Sequence, residues 1–170
     1  MTQKNLKRGI EHESFLLHQA SKKDFNDIIR LYQLCFSLSS IGVWSEESLL
    51  TTLNLTTTKI FLLTLNSDIV AQPIGFAVLQ VVDEEVELLS IGIIPEKQNK
   101  GIGKLFLSKI KTQLQNLKYQ KIFLEVNAEN KTAIFVYKFS GFQILTKRIG
   151  YYRGENGALY DCLVMALNLK

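Results

Sequence analysis

Cysteine, proline and histidine are scarce here, with two of each in 170 residues. Cys35 and Cys162 stand far apart without a Cys-x-x-Cys, which argues against a disulfide framework or a thioredoxin-type pair. They are expected to be structural thiols in a reducing compartment. His12 and His18 make no metal-ligand spacing with nearby residues, so no metal site is expected. No apolar run approaches the roughly 18 residues of a membrane-spanning helix. The polar stretch before residue 14 lacks the apolar core of a signal peptide. Neither a span nor a leader is expected, and the expected compartment is the cytoplasm. A net charge of +4 and a pI near 9.0 suit an anionic ligand or an anionic assembly. That charge is too small to argue for direct nucleic-acid binding. The Walker A order is missing, and Gly101-x-Gly103 is not followed by x-x-Gly, so neither common nucleotide fingerprint is present.

What is present is an ordinary globular composition, 46% hydrophobic and 21% charged. Residues 1–13 read as a flexible polar tail and residues 14–170 as one domain. A strand is expected over 15–20. Ser21 with Asp24 resembles a capping box, and Phe25, Ile28, Ile29, Tyr32, Cys35 and Phe36 recur at helical spacing, predicting a helix over 22–36 with Cys35 buried. Ser45 is a candidate N-cap for a short helix carrying Leu49, Leu50 and Leu53. Strands follow over 59–65, 69–82 and 86–94, joined by polar turns at 66–68 and 83–85. Pro73 must lie at the beginning or edge of its strand, having no N–H for a ladder. A helix over 103–117, a strand over 121–126, a helix over 131–140 closed by Gly141, and a hairpin of 142–152 with 159–167 complete the chain. Helices and strands alternate so as to give one α/β (α+β) domain. Its sheet of about seven strands is mixed and mostly antiparallel, with four helices.

The most informative stretch is Ile91-Gly92-Ile93-Ile94-Pro95 followed by Gln98-Asn99-Lys100-Gly101-Ile102-Gly103-Lys104. A strand feeding a glycine loop and a helix start brings free N–H groups and the positive end of a helix dipole to one point. The expected guest is a phosphate or pyrophosphate, with Lys100 and Lys104 as candidate ion-pair donors. Glycine at 101 and 103 lets the backbone approach closely. A plain strand-turn-helix connection would have the same glycines.

This order, with Gln98-x-x-Gly101-x-Gly103 after the fourth strand, resembles the GCN5-related N-acetyltransferase (GNAT) superfamily, whose signature is Arg/Gln-x-x-Gly-x-Gly/Ala. The second half is similar to a bacterial branch that acetylates the N-terminal alanine of ribosomal protein S18. That likeness rests on Glu87 to Pro95, Leu124-Glu125-Val126-Asn-Ala-Glu-Asn130, Ala133-Ile134 with Tyr137, Ser140-Gly141-Phe142, Arg148-Ile-Gly-Tyr151-Tyr152, and Asp161 to Met165. The resemblance implies the GNAT fold, splayed between its fourth and fifth strands. It also implies acetyl-CoA with its pyrophosphate on the N–H groups of residues 99–104 and its pantetheine along Ile91, Gly92 and Ile93. Asn130 and Tyr137 would contact the cofactor. An α-amine, with a reference pKa of about 8 against about 10.4 for lysine, needs only a modest base. Glu125 is the candidate base and Tyr137 the candidate acid for the departing thiolate. A backbone N–H near Ile93 would polarise the thioester carbonyl.

Trp44 reads as a core anchor or as an acceptor-site residue with Tyr151 and Tyr152, which would border the acceptor groove. Three departures from the family, Ile93-Ile94 before Pro95, Arg153 after the tyrosine pair and Tyr160 before Asp161, bear on the acceptor and not on the cofactor loop. The expected partner is a protein N-terminus, that of ribosomal protein S18. The same fold would also serve a lysine side chain, a polyamine or another small amine. A non-catalytic acetyl-CoA-binding module associated with the ribosome is a third possibility, against which the joint presence of Glu125 and Tyr137 argues.

Overall fold

The computed structural model describes residues 14–37, 39, 42–66, 71–154 and 157–170. The expected tail at 1–13, most of the turn at 66–68 and Asn156 of the final turn lie outside the described residues. Seven strands form one sheet in the order β1-β2-β3-β4-β5-β7-β6. They are β1 (Ser14–Gln19), β2 (Thr58–Asn66), β3 (Ala71–Val82), β4 (Glu85–Ile93), β5 (Lys121–Asn127), β6 (Gln143–Arg153) and β7 (Leu159–Asn168). The helices are α1 (Phe25–Phe36), α2 (Glu46–Asn54), α3 (Ile102–Asn116) and α4 (Lys131–Phe139). All pairings are antiparallel except β4 with β5, where α3 makes the crossover. The last strand, β7, inserts between β5 and β6 instead of extending the sheet edge.

Local chemistry sets most element ends. The expected single helix over 22–36 is instead a 3₁₀ turn at Lys22–Asp24 followed by α1. The N–H and hydroxyl of Ser21 both donate to Asp24 Oδ2, at 2.8 and 2.9 Å, which tightens the entry turn. Ser45 caps α2 by accepting from the Ser48 N–H. Pro73 opposes Thr64 of β2 at a register shift near the start of β3, beyond the last β4 pairing at Gly75.

The two faces of the sheet carry different helices. Phe76 packs against Tyr32 and Phe36 of α1, whereas a Cβ on its neighbour Gly75 would approach Phe106 of α3. Consecutive strand residues point to opposite faces, so α1 and α3 lie on opposite sides. With both faces covered, β2 and β3 become nearly continuous buried runs. Along β5 the alternation is regular. Ile122, Leu124 and Val126 are buried, and Phe123, Glu125 and Asn127 face the other way. Ile122 shares a groove with Leu107 of α3, which puts Glu125 on the α1 side. Among the described residues no helix is long and apolar enough to cross a membrane, and no three His, Cys, Asp or Glu residues cluster as a metal site.

Cys35 is half-buried, less than its place in the helical stripe suggested, and its buried side rests against strand backbone at Gly92. A Cβ at Gly92 would fall 2.7 Å from Cys35 Sγ and 2.9 Å from the Phe76 ring. Gly92→Ala is therefore expected to cost about 1–3 kcal/mol by overpacking, measured as a lowered urea midpoint with unchanged m-value.

Candidate active site

Parallel pairing of β4 and β5 runs from Glu85 opposite Lys121 to Leu88 opposite Leu124 and stops there. In β4 the pairing with β3 steps from Ser90 to Leu88, leaving Leu89 as an extra residue at a bulge that bends the strand away. β5 keeps its course because β7 pairs with it as far as Asn127. The two strands thus part, opening a cleft of about 480 Å³ lined by Ser90, Ile91, Glu125, Asn130, Tyr137 and Tyr152 among others. Backbone groups alternate in direction along a strand. Since the Ile94 N–H is taken by the Ile74 carbonyl of β3, those of Ile93 and Ile91 turn toward the vacated side.

At the end of β4 the loop is held by its own side chains. Gln98 Nε2 donates to the Ile93 carbonyl at 2.8 Å, and Lys100 Nζ donates to the Glu96 carbonyl at 3.1 Å. Gly101, at φ +79°, is the N-cap of α3, and Leu105 N–H bonds its carbonyl. Among the described residues, no acceptor meets the N–H groups of Ile102, Gly103 and Lys104. A Cβ on Gly101 or Gly103 would touch nothing. Packing within the chain therefore does not call for glycine at 103, where alanine would favour the helix by up to about 1 kcal/mol. Lys104 points along the protein surface, its Nζ over the rings of Phe135 and Phe139.

Glu125 is the first residue of β5 past its last pairing with β4. Arg148 Nη1 donates to its carboxylate, reaching from β6 across the intervening β7. A bulge in β6 between Arg148 and Tyr152 contains Gly150, whose N–H donates to Asp161 Oδ1 at 2.9 Å. The bulge lets both Arg148 and Tyr151 converge on Glu125. A hydrogen bond to the Glu125 carboxylate, and its charge, raise the Tyr151 phenol above its ordinary range. Glu87 lies nearby, and burial first, then the Glu125 charge, raises its carboxyl. On the α4 side, Tyr137 is 9% exposed and packs against Phe142. Burial pushes its phenol up to about 12, so it carries its proton at neutral pH. Asn130 caps α4, its Oδ1 accepting from the Ala133 N–H at 3.0 Å.

The family model described as Acetyltransferase (GNAT) family matches residues 25–142, more than half of the chain. The chain belongs to the GNAT acetyltransferase family. It is 40% identical over 98 residues to the ribosomal protein bS18-alanine N-acetyltransferase of Haemophilus influenzae, a match covering 58% of this chain and 66% of that protein. The matched segment falls short of two thirds of that relative's length. The crystal structure of the ribosomal-protein-S18-alanine N-acetyltransferase from Escherichia coli superposes with a TM-score of 0.79 at 25% identity, covering 92% of this chain and 95% of that one. Arabidopsis thaliana NAA60 in complex with acetyl-CoA, at 16% identity and a TM-score of 0.73 over 91% of this chain and 98% of that one, shares the fold.

Within this GNAT scaffold, Glu125, Asn130, Tyr137 and Tyr152 come together at one cleft, with Ile91 on its β4 wall. The glycine loop stands at the end of that wall. Trp44 does not line the cleft. It stacks on Tyr32 with centroids 6.1 Å apart, and its backbone N–H donates to the Tyr32 hydroxyl. Trp44 lines a separate groove of about 340 Å³ between α1 and α2. Gln98 and Lys100 serve the loop's own carbonyls, and Lys104 lies over aromatic rings. Arg148 and Glu87 escaped sequence reasoning as site residues, because only the β6 bulge and the β4–β5 register bring them to Glu125. Free N–H groups at α3, glycines whose missing Cβ leaves open space, and a cleft edged by unpaired strand are features that fit acetyl-CoA.

The Glu125 contact to Tyr151 has a measurable sign. Glu125→Gln removes the charge that disfavours tyrosinate, so the Tyr151 phenol should titrate at lower pH, read by NMR of its ring resonances.

Proposed function

We propose that this protein transfers the acetyl group of acetyl-CoA to the α-amine of a protein N-terminus, with ribosomal protein S18 as the acceptor. The observation that carries this reading is the parted strand pair, with a helix N-terminus at one end and Glu125 and Tyr137 on opposite walls. Similarity to the S18-alanine acetyltransferases supports the choice of acceptor, and the proposed acceptor puts the work in the cytoplasm.

Bound acetyl-CoA supplies a thioester carbonyl and a thiolate leaving group. The N–H groups of residues 101–104 hold the pyrophosphate at the positive end of α3. Ile91 and Ile93 present N–H groups to the pantetheine as an added strand would, and the Ile93 N–H polarises the carbonyl. Gln98 contributes indirectly by fixing the Ile93 carbonyl, and Lys100 by closing the turn at Glu96. The Asn130 amide faces the same arm. Glu125 takes the proton from the incoming ammonium, directly or through water, while Arg148 and Tyr151 orient its carboxylate. With acetyl-CoA bound, the neutral amine would bond to the acetyl carbon as the carbon–sulfur bond breaks; Tyr137 would give its proton to the departing sulfur and regain one from solvent, and the surplus proton on the new amide nitrogen would leave to solvent. Tyr151 and Tyr152 border the acceptor, and Trp44 supports α1 and α2 from behind.

Direct transfer suits the thiols. Burial pushes the half-buried Cys35 up to about 12, leaving no thiolate for a covalent step. Cys162 is buried and its thiol is raised chiefly for the same reason.

Incubation with acetyl-CoA and a peptide carrying the S18 N-terminus should give Nα-acetylated product by mass spectrometry. Tyr137→Phe should lower kcat about 10²–10⁴-fold with acetyl-CoA binding retained. The rate should rise as the α-amine loses its proton near pH 8, with no alkaline loss from Tyr137 until about 12. Absence of product, or full activity in Tyr137→Phe, would overturn the proposal.

A further inference from the structure

Helix α4 carries two phenylalanines that its packing does not use. Phe135 and Phe139, one turn apart, are 60% and 67% exposed, and they are the only phenylalanines among the described residues more than a third exposed. Their rings lie 6.4 Å apart at 36°. Tyr137, between them in sequence, faces the core instead. Two exposed aromatic rings on one helix face keep a hydrophobic surface in water that nothing in the fold requires.

Their neighbour suggests what covers them. Lys104 Nζ lies 4.7 Å from the Phe135 centroid and 3.9 Å from that of Phe139. Lys104 is also in the first turn of α3, whose free N–H groups point at the proposed pyrophosphate. A groove of about 190 Å³ runs between α3 and α4, lined by Lys104, Lys111 and Phe139 among others. Thus an exposed aromatic pair, two ammonium groups and the proposed pyrophosphate cradle are contiguous. In acetyl-CoA the pyrophosphate is joined directly to a 3′-phosphorylated adenosine, a flat π-system carrying extra negative charge. Stacking on aromatic rings tolerates any base orientation, and the lysines complement the phosphates.

Resting on the acyl-CoA reading above, we propose that Phe135 and Phe139 form the stacking platform for the adenine of the bound coenzyme. Lys104 is the hinge of this arrangement. It covers the rings in the free protein and turns its ammonium to the phosphates when the base takes its place.

Binding of CoA and of 4′-phosphopantetheine, which lacks the nucleotide, can be compared by calorimetry and NMR titration. In Phe135→Ala/Phe139→Ala, CoA should bind about tenfold more weakly, or ~1.4 kcal/mol, with phosphopantetheine unchanged. Phe135→Tyr/Phe139→Tyr should retain CoA affinity, since it keeps both rings. Both positions are exposed, and an unchanged urea midpoint confirms that the fold survives. Unaltered CoA affinity in the alanine variant overturns the platform and leaves the acetyl-transfer reading standing, with the rings then free for another partner. Equal weakening of both ligands also overturns it. Wild-type protein that binds no CoA overturns both.

Discussion

Two parallel strands that share only four residue pairs govern this molecule. Beyond Leu88 and Leu124, the backbone groups along the inner edges of β4 and β5 have no strand to pair with, and unpaired backbone groups away from water are costly. The fold accepts that cost by fixing each strand from its outer side. β3 holds β4 through the bulge at Leu89, and β7 holds β5 along its full length. What remains is a slot with a polar edge, open to an extended ligand that carries amides of its own.

The same parting sorts the side chains. Glu125 emerges on the α1 face and Tyr137 comes from α4 on the opposite face, yet both line one cleft. A carboxylate and a phenol that flank a slot can act on opposite sides of a carbonyl within it. Arg148 and Tyr151 keep the carboxylate aimed, and they do so from a strand that does not pair with β5. The Gly150 bulge, pinned by Asp161, is what gives them that reach.

Much of this was legible in the chain. Hydrophobic periodicity gave the strands and helices to within a few residues, since both periods are strong here. The glycine loop revealed itself because Gly101 and Gly103 sit where a strand should hand over to a helix. Glu125 and Tyr137 were legible through their place in family motifs more than through their own chemistry. What stayed hidden was long-range. Insertion of β7 between β5 and β6, and the Arg148 pair it bridges, depend on contacts that no local spacing encodes. Trp44 is an intermediate case: the sequence left it open between core anchor and acceptor residue, and the structure packs it against the core, stacked on Tyr32. Lys104 is a subtler case. Its place in the loop motif suggested phosphate, while two phenylalanines about one helix away redirect its ammonium.

The position of β7 also carries a temporal meaning. This strand comes latest in chain order, yet it lies against the inner strand that bears Glu125 and supplies the path along which Arg148 reaches it. During synthesis, strands β1 to β5 and the glycine loop emerge first and can dock. Until β7 is in place, the strand that bears Glu125 lacks the partner that pairs with it along its whole length. Assembly of the cleft wall that carries Glu125 therefore requires the last strand of the chain, whereas the glycine loop is bordered by elements that precede that strand.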